Sequence, residues 1–423
     1  MARWNTIARG SALAAVTVLA LAACSSSDEP GTSGSPAPGG DVAALKIGTL
    51  LPVTGSLAFL GPPEIAGVDL AIKEINDAGG VLGKPVEVDH TDSSDADNPT
   101  VASASVDKLI SDGVSGIVGA ASSTVSLNVV DTIAAASIVQ ISGANTSTAL
   151  TGYSPFYFRV APPDTIQGDV MAKLLIADGK KNISILVFND DYGTSLRDVV
   201  QSTVEAEGAT VTYGKSGDEF DPKEDNFDSI VGNALAGNPD ALLIIAFDQT
   251  KNIIPKVIAA GYDPKNIYMV DGNTADYSKD FDPGTLEGTQ GTIPGAFPAQ
   301  DFQDRLNSVA PEPLTSFAYG PESYDATMLL ALAAEKGGNT DGTTIQANMA
   351  AVSGSTGGDE CATFADCVAL IKDGKEITYK PVAGSGPFNS KNDPSSAFIG
   401  IYTFDGNNVP VWKSAVEGTN SQE

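Results

Sequence analysis

From residue 45 onward, short apolar runs alternate with stretches whose apolar residues recur every three or four positions. Residues 46–51 are a first apolar run and read as a strand. Residues 64–78 then carry Ile65, Val68, Ala71, Ile72 and Ile75 at helical spacing, closed by Gly79-Gly80. The alternation continues with a strand at 86–89, a helix at 99–111, a buried strand at 116–119, a helix at 124–136 and a strand at 138–142. This order predicts an α/β fold with a doubly wound parallel sheet, since parallel neighbours need crossover connections, usually helical.

The pattern then starts again. A helix is predicted over 164–178, a strand over 182–188 and a helix over 194–207. Strands at 210–213 and 241–247 enclose a further helix, and a helix at 253–260 leads to a strand at 267–270. Later come a long helix at 319–336 and two strands, 398–404 and 409–412, around the turn Asp405-Gly406-Asn407-Asn408. Two tandem α/β units with elements left over imply that the chain crosses back between two lobes.

Ahead of this region the character of the chain changes. Arg3 and Arg9 precede an uncharged apolar run over 11–23, which ends in Leu21-Ala22-Ala23-Cys24. That is the order of a secretory signal, and it is shorter than the about 20 apolar residues a spanning helix needs. A cysteine directly after Leu-Ala-Ala resembles the lipobox of bacterial lipoproteins, in which the thiol is lipidated and becomes the first mature residue. The resemblance implies a signal peptide over 1–23, lipidation at Cys24, and an extracytoplasmic protein held at the membrane only by lipid. An ordinary cleaved signal with an incidental cysteine is the alternative. Residues 24–44 are dominated by Ser, Gly and Pro. They hold too little apolar surface to repay their ordering entropy, and read as a flexible tether.

Charge narrows the partners. The chain has 24 Lys and Arg against 53 Asp and Glu, a net charge of −29, and the leader removes Arg3 and Arg9 but no acid. Such a surface repels phosphate backbones and anionic lipid, so no nucleic-acid partner is expected. With Cys24 taken by lipid, Cys361 and Cys367 remain as a pair in an oxidising compartment, and a disulfide is expected. So short a loop would stabilise the fold by roughly 2.4 kcal/mol. Two thiols without nearby histidines are too few ligands for zinc.

The segment Ile47-Gly48-Thr49-Leu50-Leu51-Pro52-Val53-Thr54-Gly55 is followed by Gly67-Val68-Asp69-Leu70-Ala71-Ile72, Glu74-Ile75-Asn76 and Gly79-Gly80-Val81-Leu82-Gly83-Lys84-Pro85. An acidic segment from Asp92 to Asp97 comes next, with Asp191-Tyr192-Gly193 and Gly386-Pro387-Phe388 further on. In order and spacing these resemble the branched-chain amino-acid-type solute-binding proteins of ABC importers. The resemblance implies a type I periplasmic-binding-protein clamshell: two Rossmann-like lobes joined by three hinge crossovers, near Ala161, Gly291 and Ala397. It places lobe 1 at 45–161 plus 292–396, lobe 2 at 162–291 plus 397–414, and a disordered tail at 415–423. It further implies ABC permease subunits as partners, a monomer, and no cofactor.

Ligands of open α/β sheets lie beyond the carboxyl ends of the strands. Gly119-Ala120-Ala121-Ser122-Ser123-Thr124 leaves a strand and opens a helix, where unpaired N–H groups favour a carboxylate. In the resembling family a serine at the Ser123 position binds the ligand carboxylate, with Ser122 beside it. Simple helix capping is the competing reading. By the same resemblance Ala144 offers a backbone group, Thr146 a hydroxyl and Tyr192 an aromatic closing over the ligand. Phe247 offers a wall, though it could equally be core. Asp271 stands within one residue of the family's acidic position, with Gly272 at the match in one register. Leu60 replaces an aromatic found in some relatives.

An enzyme finds little support. His90 is the single histidine, which excludes a His-Glu-x-x-His site, and no Gly-x-Ser-x-Gly elbow is present. Gly83-Lys84-Pro85 lacks the hydroxyl residue of a phosphate loop. The sequence thus points to a small-molecule binder, most simply of an amino acid. A clamshell sensor, or a binder of an amide or urea, is the alternative, and a hydrolase the weakest reading.

Overall fold

A computed structural model describes residues 42–420. The signal segment, Cys24 and the tether up to residue 41 lie outside the described residues. The end of the tether does not behave as tether: the Ala43 carbonyl accepts from Thr340 Oγ1 at 3.1 Å.

The first sheet holds β1 (Lys46–Leu51), β2 (Glu87–Asp92), β3 (Gly116–Gly119), β4 (Val139–Ser142) and β5 (Tyr157–Arg159). They run parallel in the order β2-β1-β3-β4-β5, crossed by α1 (Gly61–Asp77), α2 (Pro99–Ser111) and α3 (Ser123–Ala135). All four residues of β3 and of β4 are buried, as expected of strands covered on both faces. β5 is too short to have stood out as an apolar run.

After α4 (Asp164–Ala177) the second sheet begins. It contains β6 (Asn182–Val187), β7 (Thr210–Tyr213), β8 (Ala241–Ile245), β9 (Ile267–Met269) and β10 (Gln290–Pro294), with α5 (Asp191–Ala206), α6 (Asp228–Leu235) and α7 (Thr250–Ala259) between them. Pro255 lies inside α7, a residue that removes one amide donor. The chain then returns through α8 (Gln300–Val309), α9 (Gly320–Gly337), α10 (Gly342–Ser353), β11 (Asp359–Cys361), α11 (Phe364–Lys372) and β12 (Ile377–Tyr379). α9 packs on α1 at close range: a Cβ added to Gly67 would sit 2.2 Å from the Gly320 carbonyl oxygen. Cys361 and Cys367 are joined by a disulfide between β11 and α11, with Cα atoms 5.2 Å apart.

β13 (Ser396–Phe404) and β14 (Pro410–Thr419) complete the second sheet, in the order β14-β13-β10-β9-β8-β6-β7. β13 lies antiparallel to both neighbours. The expected hairpin is present but longer. Residues 415–419 are not a disordered tail; they pair with β13 out to Ser396↔Thr419, because the two strands stay in register past a bulge at Ile401/Tyr402. Gly291 lies inside β10, paired with Tyr402, so the chain leaves the second sheet only after Pro294. Two α/β lobes result. In the first, the strand order reverses between β1 and β3; in the second, it reverses between β6 and β8. Crevices beyond the carboxyl ends of such strand pairs are where ligands of open sheets bind. Among the described residues, no helix is long and apolar enough to cross a membrane, and no group of His, Cys, Asp and Glu could hold a metal ion.

Candidate functional site

Six loops that follow strands converge on one small cavity. Ala121, Ser122 and Ser123 follow β3 and Ala144 follows β4. Tyr192 follows β6, Phe247 follows β8, and Asp271 with Gly272 follows β9. Leu57 and Leu60, from the loop after β1, and Tyr319, just before α9, complete the wall. A site at strand ends is a consequence of the fold: the strands are rigid, and their carboxyl ends deliver loops to the same edge.

The first-lobe end is built around the start of α3. Ser122 is its N-cap, and its Oγ accepts from the Val125 amide at 3.3 Å. Ser123 Oγ accepts from the amides of Thr146 and Ser147, at 3.3 and 3.2 Å. Capping therefore describes Ser122, whereas Ser123 ties the helix start to the loop after β4. That loop is fixed from behind by Arg159, which is fully buried. Its guanidinium donates to Asp393 at 2.6 and 3.0 Å, to the Ser147 carbonyl at 2.8 Å and to Thr151 Oγ1 at 2.6 Å.

Thr146 does not line the cavity. It is buried, its carbonyl accepts from the Asp164 amide at 2.6 Å, and its Oγ1 has no hydrogen-bond partner. The hydroxyl faces Asp164 instead, whose carboxyl burial pushes up to about 7.

The second-lobe end centres on Asp271. Its Oδ1 accepts from Tyr192 OH at 2.6 Å and Gln167 Nε2 at 2.8 Å, and its Oδ2 accepts from Tyr319 OH at 2.5 Å. Burial still holds this carboxyl above the ordinary carboxylate range, although these three donors and its own backbone amide favour its charged form. The Tyr192 hydroxyl also accepts from the Gly272 amide at 3.3 Å. Its ring stacks on Phe247, centroids 5.5 Å apart at 13°, and Phe188 meets Phe247 edge-on at 4.7 Å. Phe247 is thus both wall and core.

Tyr319 is a site residue that reading the strand ends did not reveal. It belongs to the segment that returns to the first lobe after β10, and helical periodicity places it inside α9. In the structure it precedes the helix with φ +61, a conformation uncommon for a bulky residue. The following Gly320-Pro321 is the one local sign that the helix starts later.

The lobes meet over the cavity. Thr124 Oγ1 donates to Asp190 and Asp191 at 2.8 and 2.9 Å, Ser147 Oγ donates to the Asp191 carbonyl at 3.1 Å, and the Thr148 amide donates to Ser195 Oγ at 2.9 Å. Outside this contact a second pocket carries Asp95, Asp97, Asp190 and Asp191, and shares Phe247 with the inner cavity. His90 is elsewhere, on β2, bonded to Thr49 and Asp69.

Comparison with known proteins agrees with this architecture. Residues 44–366 match the family model described as periplasmic binding protein. A Leu/Ile/Val-binding protein, BraC3, of Rhizobium johnstonii is 24% identical over 376 residues, covering 87% of this chain and 93% of that one. The leucine-, isoleucine-, valine-, threonine- and alanine-binding protein of Pseudomonas aeruginosa is 35% identical over 171 residues, 40% of this chain and 45% of its own length. The crystal structure of a leucine-binding protein, LivK, of Thermotoga maritima superposes with a TM-score of 0.73 at 20% identity, covering 88% of this chain and 99% of that one.

Proposed function

The chain belongs to the periplasmic binding protein family, and on that premise we propose that it is an extracytoplasmic solute-binding protein of an ABC importer that takes a small amino acid between its lobes. One observation carries the reading: the cavity is bipolar. At its first-lobe end the start of α3, with Ser122 and Ser123, favours a carboxylate. At its second-lobe end the Asp271 carboxyl lines the cavity and is the one acidic group there to receive an ammonium. Between them Leu57, Leu60, Ala144 and Phe247 give apolar walls suited to an aliphatic side chain. The names of the relatives, Leu/Ile/Val-binding proteins, support the same ligand class.

The ligand contacts assigned are Ser122, Ser123, Ala144, Tyr192, Phe247 and Asp271, with Thr146 in a supporting place behind Ser123. The work is binding without chemistry. Lipid on Cys24 and the Ser/Gly/Pro tether keep the monomeric protein near its permease, raising its effective concentration there. Titration calorimetry against a panel of amino acids and their des-amino analogues tests the ligand class. Saturable heat with a branched-chain amino acid, lost with its des-amino analogue, is expected. No heat with any amino acid overturns the reading.

A further inference from the structure

A third cavity opens where the chain leaves the second sheet, and Tyr319 lines both it and the cleft. Phe297, Phe317, Tyr319 and Tyr402 line it, together with two acids, Glu322 and Asp276. Among the described residues no Lys, Arg or His lines it.

Glu322 is the informative residue. It stands in the first turn of α9, is 2% exposed, and the donor that reaches its carboxyl is its own backbone amide. Gly295, which follows β10 with φ +97, lies against it: a Cβ there would come 2.1 Å from Glu322 Oε1. Behind it Glu64 is 1% exposed, its Oε2 without a partner. Burial pushes the Glu322 carboxyl up to about 8, and nearby Asp325 adds to it. A buried carboxyl held neutral in this way gives up its proton when a cation is seated beside it, because an adjacent positive charge favours the charged form.

The walls identify the missing partner. Aromatic rings with carboxylates and no basic group are the environment that recognises an organic ammonium, through ring quadrupole and charge together. An anion would meet only repulsion there, and a bare metal ion would find too few oxygen ligands. We propose that this hinge-side cavity is a binding site for a small organic ammonium ion, held by Glu322 and the surrounding aromatic rings and distinct from the interlobe cleft. Because Tyr319 walls both cavities and donates to Asp271 across the lobes, an ion seated there also bears on the closed arrangement of the cleft.

The test uses the full chain carrying Trp4→Phe, so that Trp412 is its only tryptophan. Trp412 packs on Phe297, centroids 5.8 Å apart, at the rim of the cavity, so its emission reports occupancy. Benzyltrimethylammonium is titrated to about 10 mM, with benzoate and benzyl alcohol as anionic and neutral controls of similar shape. A saturable change with the ammonium alone is expected, weakened about tenfold or more by Glu322→Gln. Phe297→Ala, at a largely exposed position, is expected to weaken it as well and serves if Glu322→Gln does not fold. No saturable change, an equal response to benzoate, or an affinity untouched by these substitutions overturns the proposal. Amino-acid titration of the same protein reads the cleft separately, so failure of one site is not mistaken for failure of the other.

Discussion

The Tyr319 hydroxyl of the first lobe donates to Asp271 of the second across 2.5 Å. This bond joins two walls of the cavity, and its acceptor is a buried carboxyl. Hydrogen bonds to charged groups contribute about 1.5–3 kcal/mol. Tyr319→Phe keeps the ring against the cavity and removes only the bond. Ligand affinity measured by calorimetry is expected to fall by roughly tenfold to a hundredfold. An unchanged affinity means that the bond does not favour the closed lobes.

Ser123 and Thr146 separate by experiment. Ser123→Ala removes the acceptor of two buried amides and a hydroxyl from the cavity wall. It is expected to cost about 1–3 kcal/mol in denaturant unfolding and to weaken ligand binding. Thr146→Val removes a hydroxyl that faces Asp164 and does not line the cavity. Its affinity is expected to match the parent's. A loss with Thr146→Val equal to that with Ser123→Ala would show that both touch ligand.

The Arg159–Asp393 pair predicts an asymmetric response. Both side chains are buried, and Arg159 holds the carbonyl of Ser147 in the loop that Ser123 also binds. Asp393→Ala strands a buried guanidinium and is expected to destabilise by about 3–5 kcal/mol. Combining Arg159→Met with Asp393→Leu should recover part of that loss, since no unpaired charge remains. Chemical denaturation of the four proteins checks the cycle; a double variant less stable than Asp393→Ala alone sinks this account.

Stability should fall as pH rises through neutrality. Glu322 titrates at about 8 in the folded protein against 4.5 ordinarily, and Asp164 at about 7 against 3.8. Between those limits the folded state binds more protons than the unfolded state, so the slope of unfolding free energy with pH is negative. The cost of ionising these groups is absent below about pH 4, grows through pH 7–8 and then levels. Melting temperature is therefore expected to rise from pH 8.5 towards pH 5.5, and the rise to be smaller in Glu322→Gln. A melting temperature that climbs with pH over this range contradicts the burial of neutral carboxyls.

Much of the architecture was legible because strands buried on both faces are continuous apolar runs and amphipathic helices mark their spacing. Gly116–Gly119 and Ala241–Ile245 could be read in this way. β5 and β10 escaped, the first for its length and the second because Gln290, Gly291 and Thr292 break the apolar run. The site was legible wherever a loop follows a strand: Ser122, Ser123, Ala144, Tyr192, Phe247 and Asp271 reach one cavity. Tyr319 was not, since a returning segment supplies it and its left-handed backbone is invisible to periodicity. Thr146 shows the converse. It sits at the right strand end, but Ser123 holds its amide and turns its side chain away.

The bonds from Thr124 to Asp190 and Asp191, and from Thr148 to Ser195, join the lobes without any help from a guest. Capture then has a waiting time. A solute arriving at the acidic mouth must queue until these bonds part, so the observed association rate should climb with solute concentration and flatten at the opening rate. Speed of uptake at high supply would be written in a few hydroxyl–carboxylate contacts at the rim, and selectivity in the cavity beneath them.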